Sequence, residues 1–171
     1  LTMVLPKKDI IPKVTSGGLD TVGIRFPSNP IAQKIIKAAG LPLAAPSANL
    51  SGKPSTTTAK HVFDDMNGRI SAIVDGGACS VGVESTVISF SGEDVIILRP
   101  GFISKEDLLT IADNVVIDKG VLSEMSEDAV VASPGMKYKH YSPKANVVIV
   151  EGEYDDFLSF FEKNYSEGVY A

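Results

Sequence analysis

The stretch from Thr21 to Ala45 constrains the fold of this chain more than any other. Thr21–Phe26 (TVGIRF) alternates apolar and small or polar residues, the period of a strand, and stops at Pro27. Ser28-Asn29-Pro30 then supplies a capping residue followed by proline at the first helical position. Ile31, Ile35, Ile36 and Ala39 fall on one face of the helix this predicts, and Gly40 ends it. Leu41–Ala45 reads as a short buried strand. A strand, a capped helix and a second apolar run in direct succession place the chain in the α/β class.

The remaining segments extend this pattern. Leu1–Leu5 (LTMVL) reads as a strand and 9–20 as a loop rich in Lys, Pro, Ser and Gly. A helix is expected over Thr58–Met66 with Val62, Phe63 and Met66 inward, then a strand over Ile70–Val74. Thr86–Phe90 and Val95–Leu98 form a hairpin across Ser91-Gly92-Glu93-Asp94. Ser104-Lys105-Glu106-Asp107 resembles a capping box opening a helix to Ala112. From 118 the sequence loses its period and reads as a linker, basic and aromatic between Ser133 and Lys144. Val147–Val150 then reads as a strand, followed by an acidic helix over about 155–164. The expected division is a first domain over 1–117, a linker over 118–145 and the opening of a small α/β domain over 146–171.

Composition excludes several classes. A net charge of −5 argues against a broad nucleic-acid surface. The one cysteine, Cys79, rules out an internal disulfide and a cysteine-rich metal site, fits a reducing compartment, and reads as a small buried hydrophobe. No apolar run is long enough to cross a bilayer, so a cytoplasmic protein without membrane contact is expected. The chain does not open on methionine and reads as an excised piece of a longer protein.

The chemistry concentrates in Ala45–Ser55 (APSANLSGKPS). A polar loop between an apolar run and a helix suits an anion, because hydroxyls and backbone N–H groups can wrap phosphate oxygens. The same serines and asparagine equally suit a hydrogen-bonded turn and cap. The spacing is neither a Walker loop nor a nucleophile elbow. Arg25, inside a strand, is either a solvated or ion-paired arginine or a fork for a carboxylate or phosphate. Arg99 ends a strand in a turn. Thr21 and Ser85 are small hydroxyls at strand starts, and Glu84 is either a ligand or a surface acid. His61 and His140 have no metal-ligand spacing, so no metal site is expected. Lys137, Tyr138, Lys139, His140, Tyr141 and Lys144 read as a solvated tether, a lid over a nucleotide, or a single-strand RNA contact.

Taken in order, Gly18–Pro27, Ala45–Ser55, Glu84–Val87, Leu98–Gly101 and Ser133–Pro143 resemble the threonylcarbamoyl-AMP synthase family, which has the YrdC-like fold. The resemblance implies a twisted mixed sheet with flanking helices, followed by the linker and second domain of the two-domain form. It implies that L-threonine, bicarbonate or CO2, and ATP with Mg2+ are joined into threonylcarbamoyl-AMP and pyrophosphate. That product supplies tRNA modification through a downstream tRNA threonylcarbamoyl transferase. Position by position, Thr21, Ser47, Ser55, Arg99 and Tyr141 match ATP contacts, and Arg25, Ala45 and Ser85 match threonine contacts. Asn49 would support the loop. No catalytic nucleophile is implied, since the reaction needs alignment and charge neutralisation.

The family's N-terminal basic cluster has no counterpart in this sequence. Together with the missing first strands it leads to the expectation that the chain is inactive alone. Two other readings stay open: a YrdC-like module that binds tRNA or double-stranded RNA without catalysis, and a related carbamoyltransferase.

Overall fold

A computed structural model describes residues 1–122 and 148–165. The chain divides into two compact units, 1–141 and 142–171. In the first, five strands form one open mixed sheet: β1 (Thr2–Pro6), β2 (Thr21–Ile24), β3 (Val87–Ser91), β4 (Asp94–Arg99) and β5 (Val115–Ile117). Their order is β2-β1-β3-β4-β5. β1 pairs antiparallel with β2 and parallel with β3. β4 pairs antiparallel with β3, as the hairpin predicts, and parallel with β5.

Around the sheet lie α1 (Pro30–Ala39), α2 (Ala59–Met66), α3 (Lys105–Leu109) and α4 (Lys119–Leu122). Their ends follow local chemistry. Asn29 Oδ1 accepts from Ile31 and Ala32 N–H, with Pro30 opening α1. Gly40 closes it at φ 64°, a left-handed conformation that glycine adopts without Cβ strain. Thr58 caps α2. Ser104 and Asp107 form a reciprocal capping box at α3, which is shorter than the helix to Ala112 expected from sequence.

The core lies on both faces of the β1-β3-β4-β5 part of the sheet. Ile88, Val95, Ile97, Val115 and Leu108 of α3 form one cluster, with Ile103, Ala112 and Ile117 packed on it. Val4, Val87 and Leu98 form the second. Leu108 is 2% exposed, and burial of such a side chain contributes about 2 kcal/mol.

The region from Leu41 to Val83 departs from expectation. Leu41–Ala45 and Ile70–Val74 are not strands. Leu41 is 69% exposed and Val74 is 64% exposed. Neither segment joins the five-stranded sheet, and an apolar run without a ladder partner has nothing to pair its backbone groups. α1 and α2 carry no buried residue: of the faces expected inward, Ile31, Ile35, Ala39 and Phe63 are exposed and Ile36, Val62 and Met66 are half-buried. Cys79 is likewise exposed rather than buried, because it sits in a stretch without helix or strand.

In the second unit, α5 (Tyr154–Asn164) matches the predicted helix and begins at a capping box of Glu153 and Asp156. The strand expected at Val147–Val150 is absent over 148–150, which pairs with no strand among the described residues. Along α5, Phe157 stacks on Phe161, whose ring also meets Tyr165.

Candidate functional site

The β1–β2 pair sets one side of the site. Met3 stands opposite Ile24 and Pro6 opposite Thr21, so Thr2 lies beside the position that Arg25 takes just past β2. Alternation puts Thr21, Gly23 and Arg25 on one face of β2, with Thr21 and Arg25 roughly 13 Å apart along it. Gly23 between them presents no side chain to that face.

The segment Glu84–Thr86 is clamped from three directions. Thr86, fully buried, donates its hydroxyl to the Ile103 carbonyl at 2.7 Å. Its own carbonyl accepts from Thr2 N–H at 2.8 Å. Gly101 approaches so closely that a Cβ there would lie 2.4 Å from Glu84 O and Thr86 N. Only glycine allows the turn after β4 to sit on this backbone.

Arg99 fixes the same segment through its guanidinium. Nε and Nη2 donate to the Ser85 carbonyl at 3.2 and 2.7 Å. Nη1 donates to Glu84 Oε2 at 2.6 Å. The other Glu84 oxygen accepts from Ser55 Oγ at 3.0 Å. Ser85 Oγ lies 3.4 Å from Arg99 Nη2 and 3.3 Å from Thr2 Oγ1. Thr2 Oγ1 accepts from Arg25 Nε at 2.9 Å. One hydrogen-bonded chain therefore runs Ser55–Glu84–Arg99–Ser85–Thr2–Arg25. It joins four residues singled out from sequence, Arg25, Ser55, Ser85 and Arg99, through two others.

Those two carry the geometry that sequence reading did not assign. In sequence Thr2 stands only as part of a strand. Its signal was a hydroxyl at a strand start, the same signal as Thr21 and Ser85. Glu84, for which the sequence allows either a ligand or a surface acid, is neither free nor merely on the surface. Arg99 is not an exposed turn arginine: its side chain is 34% exposed and ion-paired.

The 45–55 loop is held differently. Asn49 Nδ2 donates to the carbonyls of Leu50 and Lys53, and Thr56 Oγ1 donates to the Ala48 carbonyl. Asp65 on α2 accepts from Leu50 N–H and pairs with Lys53. The Lys53 ammonium, foremost, and the Leu50 N–H hold the Asp65 carboxyl below the ordinary carboxylate range. Ala45 and Ser47 are exposed on this loop, and Asn49 Oδ1 is buried without a hydrogen-bond partner. His61 Nδ1 lies 3.3 Å from Thr57 Oγ1, and both line a shallow depression with Lys53, Ser55 and Asp65. Tyr141 and the basic aromatic residues of 133–144 lie outside the described residues.

Chemically, the arrangement offers hydroxyls, one ion-paired guanidinium and one exposed guanidinium on a single face. Among the described residues of this arrangement, none is a nucleophile activated by a base. Its means are positioning and charge, directed at anionic oxygens.

Comparisons with known proteins show the family to which the chain belongs. The Sua5/YciO/YrdC family model, described as telomere recombination, matches residues 1–101. The model of the threonylcarbamoyl-AMP synthase C-terminal domain matches 103–169. Threonylcarbamoyl-AMP synthase of Bacillus subtilis is 51% identical over 154 residues, covering 89% of this chain and 43% of the relative. That of Pyrococcus abyssi is 46% identical over 155 residues, covering 91% and 45%. The Schizosaccharomyces pombe protein of the same name is 43% identical over 176 residues, covering 98% and 43%. The crystal structure of P. abyssi Sua5 complexed with L-threonine superposes with a TM-score of 0.85 at 44% identity, over 95% of this chain and 47% of that one. The chain spans somewhat under half the length of the curated relatives it matches. On the family match over more than half of its residues, the chain belongs to the Sua5/YciO/YrdC family.

Proposed function

We propose that this chain contributes an ATP- and L-threonine-binding site to an L-threonylcarbamoyladenylate synthase. The observation that carries the reading is the hydrogen-bonded chain from Ser55 to Arg25 in a fold whose solved relative was crystallised with L-threonine. Arg25 holds the threonine carboxylate. Its Nε is spent on Thr2, which leaves Nη1 and Nη2 as a fork of the right width for two carboxylate oxygens. Ser85 and the backbone at Ala45 contact the amino acid. Thr21, Ser47, Ser55, Arg99 and Tyr141 contact the nucleotide, and Asn49 keeps the 45–55 loop in shape. The domain division at 1–117, 118–145 and 146–171 belongs to the same reading.

The threonine nitrogen attacks CO2, forming the N–C bond of a carbamate and releasing a proton. A carbamate oxygen then attacks the α-phosphorus of ATP, the bond to the β-phosphate oxygen breaks, and pyrophosphate leaves. The protein aligns the reactants and offsets charge. Mg2+ bound with the nucleotide would supply charge neutralisation at the phosphates, alongside the hydroxyls of Thr21, Ser47 and Ser55 and the Arg99 guanidinium. The product serves tRNA modification through a transferase that consumes it.

Calorimetric titration of ATP and L-threonine tests the reading. Arg25→Ala should weaken threonine at least about tenfold, the order expected for losing a charge-assisted pair of hydrogen bonds, and leave ATP unaffected. Threonine binding that survives the substitution overturns the assignment.

A further inference from the structure

Glu84 poses an electrostatic problem. A carboxylate beside a site for a polyanionic nucleotide repels its ligand. Yet Glu84 is three-quarters covered, accepts from Ser55 through one oxygen and from Arg99 through the other, and so occupies the joint between them. Its charge also cancels that of Arg99. A cancelled guanidinium gives little long-range attraction, and its value lies in where its N–H groups point. Three of its nitrogens are already committed, Nε and Nη2 to the Ser85 carbonyl and Nη1 to Glu84. The plane of the guanidinium is therefore set before any ligand arrives. The backbone of Glu84 is held in place, because Gly101 lies close against its carbonyl and Thr86, two residues on, is buried.

We propose that Glu84 is a positioning residue for nucleotide binding: it orients Arg99 and the Ser55 hydroxyl, and this outweighs the repulsion of its own charge. The inference rests on the function proposed above. It makes a prediction of sign. If Glu84 were only a charge, Glu84→Gln would tighten ATP binding by removing a repulsion. If it positions, Glu84→Gln weakens ATP although it makes the site more positive.

The experiment is titration of ATP and, separately, L-threonine into the wild-type chain, Glu84→Gln and Glu84→Asp, at low and at moderate salt. Glu84→Asp keeps the charge but is one methylene too short to reach both partners. Both variants should weaken ATP about five- to tenfold, with threonine changed less than twofold. Unchanged or tighter ATP binding in Glu84→Gln, or an Asp variant that behaves as wild type, overturns the proposal. A second measurement needs no folded variant. In the wild type, the Arg99 side-chain N–H signals, assigned by through-bond correlation to the Arg99 backbone amide, should show hindered rotation and slowed exchange without ligand. A freely rotating guanidinium overturns the proposal. A wild-type chain that binds no ATP yet shows a locked Arg99 refutes the nucleotide reading and leaves the positioning geometry standing.

Discussion

The two walls of the candidate site are built on different physics. The wall of Glu84–Thr86 and Arg99–Gly101 is backbone pressed on backbone, continuous with Val87 and Leu98 of the core. The wall of 45–55 is a loop over α2, a helix with no buried residue, held by Asn49, Thr56 and the Asp65–Lys53 pair. The first is as stable as the core beside it. The second depends on polar bonds open to water, which contribute little each, and it opens locally at lower cost. A site made this way keeps one side fixed while the other can adapt to the ligand.

The sharpest way to break the contrast is Gly101→Ala. The added Cβ would sit 2.4 Å from two backbone atoms, neither of which is the end of a flexible side chain. Overpacking against backbone should cost about 3 kcal/mol or more, a fall of about 10 °C in melting temperature for a domain of this size. A thermal melt within 2 °C of wild type, about the scatter of surface substitutions, would mean the first wall is not rigid.

Thr2→Val comes next. It keeps the shape of the side chain but removes the acceptor for Arg25 Nε and the link to Ser85. Loss of one hydrogen bond to a charged group should weaken threonine binding roughly fivefold, about 1 kcal/mol, with little change in melting temperature. Equal losses for ATP and threonine would show that the chain from Ser55 to Arg25 acts as one unit rather than as two halves meeting at Ser85.

The contrast also explains what could be read from sequence. The hairpin, the capped starts of α1 and α3, and the Gly40 stop were legible because their causes are local: alternation, a cap hydroxyl or amide, a left-handed position. Leu41–Ala45 and Ile70–Val74 misled because an apolar run records a tendency to be covered and says nothing of the partner strand. β5 is only three residues, Val115–Ile117, too few for a period to show. The site residues with fork or hydroxyl chemistry were visible one by one, helped by the family motifs. What joins them was not: Thr2 meets Ser85 across 83 positions and Ser55 meets Glu84 across 29, and no local spacing encodes such contacts.

The smallest expected effect concerns the loop wall. Asp65 is held below its ordinary pKa, by the Lys53 ammonium first, with burial opposing it and the Leu50 N–H adding to the lowering. A depressed folded-state pKa means that the pair stabilises the fold fully above the unfolded carboxylate value, about 3.9. The contribution fades as pH falls through that value and is gone below the folded-state one. Asp107, lowered by the Ser104 N–H and hydroxyl at the α3 cap, follows the same sign in the packed half. Asp65→Asn separates the two. Between pH 3 and 6, limits set by the usual carboxylate range, its melting temperature should rise with pH slightly less than that of wild type, the remaining slope including Asp107. Hydrogen exchange locates the difference: amides at Leu50 and Lys53 should exchange faster in Asp65→Asn, and those of Val87 and Leu98 should not change. Faster exchange in the β3–β4 hairpin as well would mean that the loop supports the packed wall, and the division between a fixed and an adaptable side would fail.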